Sequence, residues 1–252
     1  MTPSPTPFPA WFEFPSDLDP EDGDLDGLGF ADEERLGTSP YDPDSDYGGE
    51  LDGAEVAAGR NPLDEADDVP PETCIPPDAK RWDGSAPDET PPAAPELEAL
   101  IPPVIGNEVV QVASMRGLPR VYGFFNFFWD SLLVCAGGQP DDLSHAIGVR
   151  GELPGLAILA IHVDGTDPAT LGADLSSLIA GQDRSLRVTQ DLDGRRVTLI
   201  LSLDADGLTF AFYAHDDVLF LVTGMGVTDS GLWPGGVLDG ELLREAVGLL
   251  PR

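Results

Sequence analysis

Basic residues are scarce. Against 46 Asp plus Glu the 252 residues set only 13 Lys plus Arg, a formal charge of −33, and the single lysine is Lys80. Nucleic-acid phosphates and anionic lipid surfaces are held by clustered cations, so this balance argues against a nucleic-acid binder and leaves no lysine after residue 80 for a Schiff base or a phosphate grip. Cysteine is nearly absent as well. Cys74 and Cys135 allow one bridge at most, too few for a disulfide-stapled scaffold or a four-cysteine zinc site. Long apolar runs are missing too: the longest, over 121–138, is shorter than a bilayer span and carries Asn126 and Asp130. No transmembrane helix is expected. Met1 is followed by Thr-Pro-Ser-Pro, without the basic start and apolar run of a secretory leader.

Histidine is limited to His145, His162 and His215. His162 shares a strand face with Leu156, Ile158 and Ala160, and His145 shares one with Ile147 and Val149, so both read as buried or sheet-edge residues. His215 falls in a turn beside Asp216 and Asp217. No nucleophile elbow, His-Glu-x-x-His pair, phosphate-cradling loop or dinucleotide fingerprint occurs. The expectation is a protein that is not an enzyme, with no catalytic residue and no organic cofactor. Cys135 reads as a buried, inert thiol, with a Cys74–Cys135 disulfide as the alternative in an exported protein. Arg195-Arg196 reads as a solvated pair or a partner for nearby carboxylates.

What is present is unevenly spread. Met1 to Pro95 holds 25 acidic and 4 basic residues and 17 of the 25 prolines. Ordering a residue costs roughly 1–2 kcal/mol of backbone entropy. A segment this polar, without sustained periodicity, has little apolar area to offset that cost, so 1–95 is expected to be a disordered acidic, Pro-rich tail or spacer. The Thr/Pro run at 2–9 suits an extended spacer. Trp11, Phe12, Phe14, Phe30, Tyr41 and Tyr47, interleaved with acids, suit either a partner-seeking segment or a plain solvated tail.

Residues 96–252 carry the continuous apolar stretches and are expected to form one domain. Strands are read at 108–115, 144–150, 156–163, 186–192, 196–203, 208–213 and 218–223. Helices are read near Leu97–Ile101, over Phe124–Ala136, from Pro168 behind the cap Asp167, and over Glu241–Leu250. Asp193-Gly194, Asp206-Gly207 and His215-Asp216-Asp217 supply hairpin turns. The fold class is therefore α+β: a mainly antiparallel sheet with about three helices packed on one face.

The sharpest local pattern is Asp22-Gly-Asp-Leu-Asp-Gly-Leu-Gly-Phe-Ala-Asp-Glu33, which resembles an EF-hand calcium loop. That resemblance implies Asp22, Asp24 and Asp26 at positions one, three and five, a turn at Gly27 and a bidentate Glu33 at position twelve. Oxygen ligands so spaced suit a hard cation with six to eight contacts, here a weak calcium site. Position eight is Gly29 rather than a branched apolar residue, and Pro15 and Pro20 stand where an entering helix would be. A second, looser run, Asp42-Pro-Asp-Ser-Asp-Tyr-Gly48, puts its glycine one place late.

Finally, ELEALIP, QPDDLSHAIGV, AILAIHVDGTDPATLGADLSSLIAG, DDVLFLVTG and ELLREAVGLLP, in that order across about 96–251, resemble uncharacterised bacterial domains found behind a signal peptide or lipoprotein anchor and a Pro/Thr-rich spacer. The resemblance implies an exported or cell-surface setting and no site. The expected function is a non-enzymatic extracytoplasmic module that binds an unidentified protein or small molecule. The alternatives are a cytoplasmic interaction protein whose acidic aromatic tail docks a basic partner, and calcium binding by 22–33.

Overall fold

The computed structural model describes residues 22–69 apart from 23, 25 and 49, then 92–117, 132–151, 155–180, 185–202, 209–228, 231–234 and 240–252. The early Thr/Pro run, Trp11, Phe12, Phe14, Cys74, the apolar run up to 131 and the Asp206-Gly207 turn lie outside these residues.

One antiparallel sheet dominates the C-terminal portion. Its strands are β1 (Val104–Ile105), β2 (Glu108–Arg116), β3 (Leu143–Arg150), β4 (Gly155–Val163), β5 (Ser185–Leu192), β6 (Arg195–Ser202), β7 (Thr209–His215), β8 (Val218–Thr228) and β9 (Gly231–Pro234). Their spatial order is β1-β2-β3-β4-β8-β7-β6-β5, with β9 also paired to β8. Short turns fix the register of the hairpins. Asp193 and Gly194 both adopt positive φ (54° and 83°), as does Asp216 (50°), which suits the right-handed twist of the strands they join. Leu192 then faces Arg195, and His215 faces Val218.

The helices are α3 (Pro95–Glu98), a stretch α4 described over 132–136, α5 (Pro168–Ala180) and α6 (Gly240–Leu249). Asp167 caps α5 by accepting hydrogen bonds from the Thr170 amide (2.9 Å) and hydroxyl (2.6 Å). These helices cover both faces of the sheet, which corrects the expectation of one face. The cause lies in β4. Leu156, Ile158 and Ala160 belong to a core with Leu97, Ile101, Leu243 and Val247, whereas Ala157, Leu159, Ile161 and Val163 belong to a core with Leu132, Leu171 and Leu175. A central strand apolar on both sides leaves water-exposed hydrocarbon unless both sides are roofed, at roughly 1.5–3 kcal/mol per large side chain. Among the described residues no helix is long and apolar enough to cross a membrane.

Within the acidic portion, the described residues of 22–69 include two short helices. Helix α1 spans Phe30–Leu36 and α2 spans Asp52–Ala58, and each ends at a glycine in the left-handed region, Gly37 (φ 87°) and Gly59 (φ 77°). Composition leaves this stretch little apolar area to bury, and its buried groups include the carboxylates of Asp24, Glu33, Asp52 and Glu55.

Candidate functional site

The loop 22–33 folds as a compact turn that brings its acids together. Gly27 takes φ 101°, and its amide donates to Asp22 Oδ2 at 3.0 Å. Asp26 accepts from the Leu28 amide at 2.6 Å and, through Oδ2, from the Gly53 amide at 3.0 Å, which ties the loop to the first turn of α2. This closeness requires glycine at 53, because a Cβ there would lie 2.2 Å from the Asp26 carbonyl oxygen.

The result is a nest of like charges. One oxygen from each of Asp22, Asp24 and Asp26 lies within 4.8 Å of the others, and two unit charges at that spacing repel by about 3 kcal/mol at an effective dielectric near 20. Asp24 is 2% and Glu33 0% exposed; among the described residues neither carboxylate has a well-formed hydrogen bond, although the Asp26 amide acts on Asp24 as a nearby donor. Burial, and then the Asp26 and Glu33 charges, push Asp24 up to about 7. Glu33 is pushed up to about 7 by burial and by Asp26 and Asp22. Asp26 rises to about 6 through burial, offset in part by the Leu28 amide. Buried anions without donors are costly unless a cation or a proton neutralises them. All four residues singled out by spacing, Asp22, Asp24, Asp26 and Glu33, therefore lie buried around one turn, with Glu33 carried into place by the first turn of α1.

The looser second run differs from its expected register. Asp42 does not begin a loop; its Oδ2 accepts from the Tyr47 hydroxyl at 3.0 Å. Asp44 and Asp46 instead cluster with Asp68, a residue that local spacing did not single out.

The histidines do not converge on a site. His145 is buried on β3, where loss of water lowers it to about 4. His162, half-buried at the end of β4, reaches the Asp217 carbonyl through Nδ1 (2.9 Å) and Asp164 Oδ1 through Nε2 (2.8 Å). Burial lowers His162, but these two acceptors outweigh it and the net shift is upward. His215 lies against Tyr213 and Asp216. Arg195, read as solvated or as a partner for nearby carboxylates, is buried. It donates to the carbonyls of Leu250, Pro251 and Asp193, clasping the end of α6. Cys135 is disulfide-bonded rather than a free thiol.

A depression of about 780 Å³ opens between the β1–β2 turn and α6. Its cations are already engaged: Arg150 pairs with Glu108 at 2.9 Å and Arg244 with Asp193 at 3.1 Å. It presents closed ion pairs to a ligand, whereas the acidic turn presents a cluster of carboxylates. Comparisons with protein-family models, with curated proteins and with solved structures found no match for this chain.

Proposed function

We propose that this protein is a non-enzymatic interaction module whose acidic segment binds calcium through Asp22, Asp24, Asp26 and Glu33. The observation that carries the reading is Glu33, a completely buried carboxylate beside three aspartates, with no hydrogen-bond donor among the described residues. A hard divalent cation with six to eight oxygen ligands relieves all of this charge at once, and a glutamate at position twelve contributes both of its oxygens. Calcium then does for the segment what apolar burial does for the sheet, by supplying the free energy that ordering consumes. The disulfide at Cys135 supports an oxidising, extracytoplasmic compartment, where millimolar calcium fills even a weak loop. In this arrangement the calcium-loaded segment is a stiffened spacer, and the α+β domain meets a protein or small-molecule partner.

The test is calorimetric titration of the calcium-stripped full-length protein with calcium chloride. Saturable uptake is expected, with affinity at least tenfold lower in Glu33→Gln. Uptake that is absent up to millimolar calcium, or indifferent to Glu33→Gln, refutes the reading.

A further inference from the structure

The two short helices are related by more than resemblance in length. Residues 30–36 of α1 and 52–58 of α2 are offset by 22 positions, and the same offset carries Asp22 to Asp44, Asp24 to Asp46, Glu33 to Glu55 and the capping Gly37 to Gly59. It carries Asp26, the fifth position, to Gly48. The second loop thus keeps the first, third and twelfth carboxylates and lacks the fifth.

The missing group is supplied from elsewhere. A Cβ at Gly48 would lie 2.0 Å from Asp68 Oδ2, so Asp68 occupies the space that an aspartate side chain at position 48 would fill. Ligand atoms of Asp44, Asp46 and Asp68 lie within 4.8 Å of one another, as do those of Glu55, Asp67 and Asp68. Asp68 joins the two groups into one set of five carboxylates.

Each of three aspartates in this set uses one oxygen as an anchor and leaves the other without a hydrogen-bond partner. Asp46 Oδ1 accepts from the Gly48 amide (2.9 Å), Asp67 Oδ2 from the Asn61 amide (3.2 Å) and Asp68 Oδ2 from the Glu50 amide (3.1 Å). The remaining oxygens, Asp46 Oδ2, Asp67 Oδ1 and Asp68 Oδ1, have no partner. Glu55 is 0% exposed, and neither of its oxygens has a hydrogen-bond partner among the described residues. The nearby cation Arg60 is committed to Glu50. Backbone amides thus orient these acids, while a fully buried glutamate points into the set without a donor to meet it.

We infer a second hard-cation site, built from Asp44, Asp46, Glu55, Asp67 and Asp68, in which Asp68 replaces the carboxylate that Gly48 cannot provide. It extends the calcium reading of loop 22–33 to a second ion and stands on different residues. Five carboxylates with one bidentate glutamate approach the six to eight oxygens that calcium takes.

Calcium stoichiometry of the full-length, calcium-stripped chain decides the matter, read by native mass spectrometry and calorimetry with calcium chloride, with circular dichroism checking that each variant retains its fold. The parent is expected to bind two ions, and Asp68→Ala or Glu55→Gln only one. The double variant Asp68→Ala/Gly48→Asp moves the carboxylate back to position five and is expected to bind two again. Glu33→Gln is expected to keep one ion, and that ion disappears when Glu55→Gln is added. A parent that binds a single ion lost in Glu33→Gln overturns the second site. So does an Asp68→Ala chain that keeps two ions, or a folded double variant that fails to regain the second. A single ion lost in Glu55→Gln and kept in Glu33→Gln leaves the second site standing and removes the first.

Discussion

The acidic segment and the sheet domain bury opposite kinds of group. In β4 the interior is filled by Leu156, Ile158, Leu159 and Ile161, whose transfer from water is favourable without any partner. In the segment the interior holds Asp24, Glu33, Asp52 and Glu55, whose transfer is unfavourable until something neutralises or bonds them. Asp52 has bonds, from the Ser45 amide and hydroxyl. Among the described residues Glu33 and Glu55 have none, and Asp24 has the nearby Asp26 amide. The domain therefore carries its own driving force, whereas the buried acids of the segment need a cation or a proton to neutralise them. Carboxylates record the same contrast. The Thr170 hydroxyl and amide at the head of α5 hold Asp167 below the usual aspartate range, while burial among other acids holds Asp24 and Glu33 far above it.

The largest expected effect separates the two regions. Phe220, fully buried in β8, is expected to cost about 3–5 kcal/mol when replaced by alanine, through lost transfer energy and the cavity left behind, read by urea unfolding of the sheet. Calcium affinity is expected to stay within twofold of the parent. A matching loss of calcium binding would break the contrast, because the segment would then depend on the core of the domain.

Acid sharpens it. His145 has a folded-state value near 4 against about 6.5 when unfolded. Between those values the unfolded chain binds the extra proton, so stability rises with pH across this window and falls as the solution is acidified. The loss approaches 3 kcal/mol at pH 4, at about 1.4 kcal/mol per unit. His145→Gln is expected to flatten that part of the stability curve, measured by denaturant unfolding at a series of pH values; an unchanged slope would mean that the imidazole is already charged in its buried site.

The smallest effects have opposite signs. Asp167→Ala removes a helix cap and is expected to lower the Tm of the domain by a few degrees at neutral pH. Because the folded value is depressed, this difference is present above the ordinary aspartate pKa and fades as pH falls through the lowered one. Asp24→Asn removes like-charge repulsion, so in the calcium-free protein it is expected to slow hydrogen exchange of the Gly27 and Gly53 amides, while calcium affinity falls at least tenfold. Faster exchange in the absence of calcium would show that the buried charge is not what loosens the segment.

Much of the sheet was legible because period-two apolar runs and Asp-Gly turns are local signals. β3, β4, β5 and β6 lie within a residue or two of their predicted limits, and Asp167 with Pro168 marks the start of α5. β9 was not legible, since Gly231–Pro234 sits in a stretch rich in Gly and Pro that reads as loop. The first acidic loop was legible from spacing. The second was not, because Gly48 breaks the spacing and its replacement, Asp68, lies twenty residues away. A comparison of the segment with itself at an offset of 22 would have exposed the repeat.

Composition and periodicity by themselves pointed to an acidic front, to an α+β body with antiparallel hairpins, and to the four carboxylates of loop 22–33 as candidates. Each depends on neighbours within about a dozen residues, where chain geometry leaves few choices. Only the tertiary structure decided that helices roof both faces of the sheet, that Arg195 clasps the end of α6, and that Asp68 fills the place of an absent side chain. Those contacts join residues far apart in the chain, and no local spacing rule reaches across such distances.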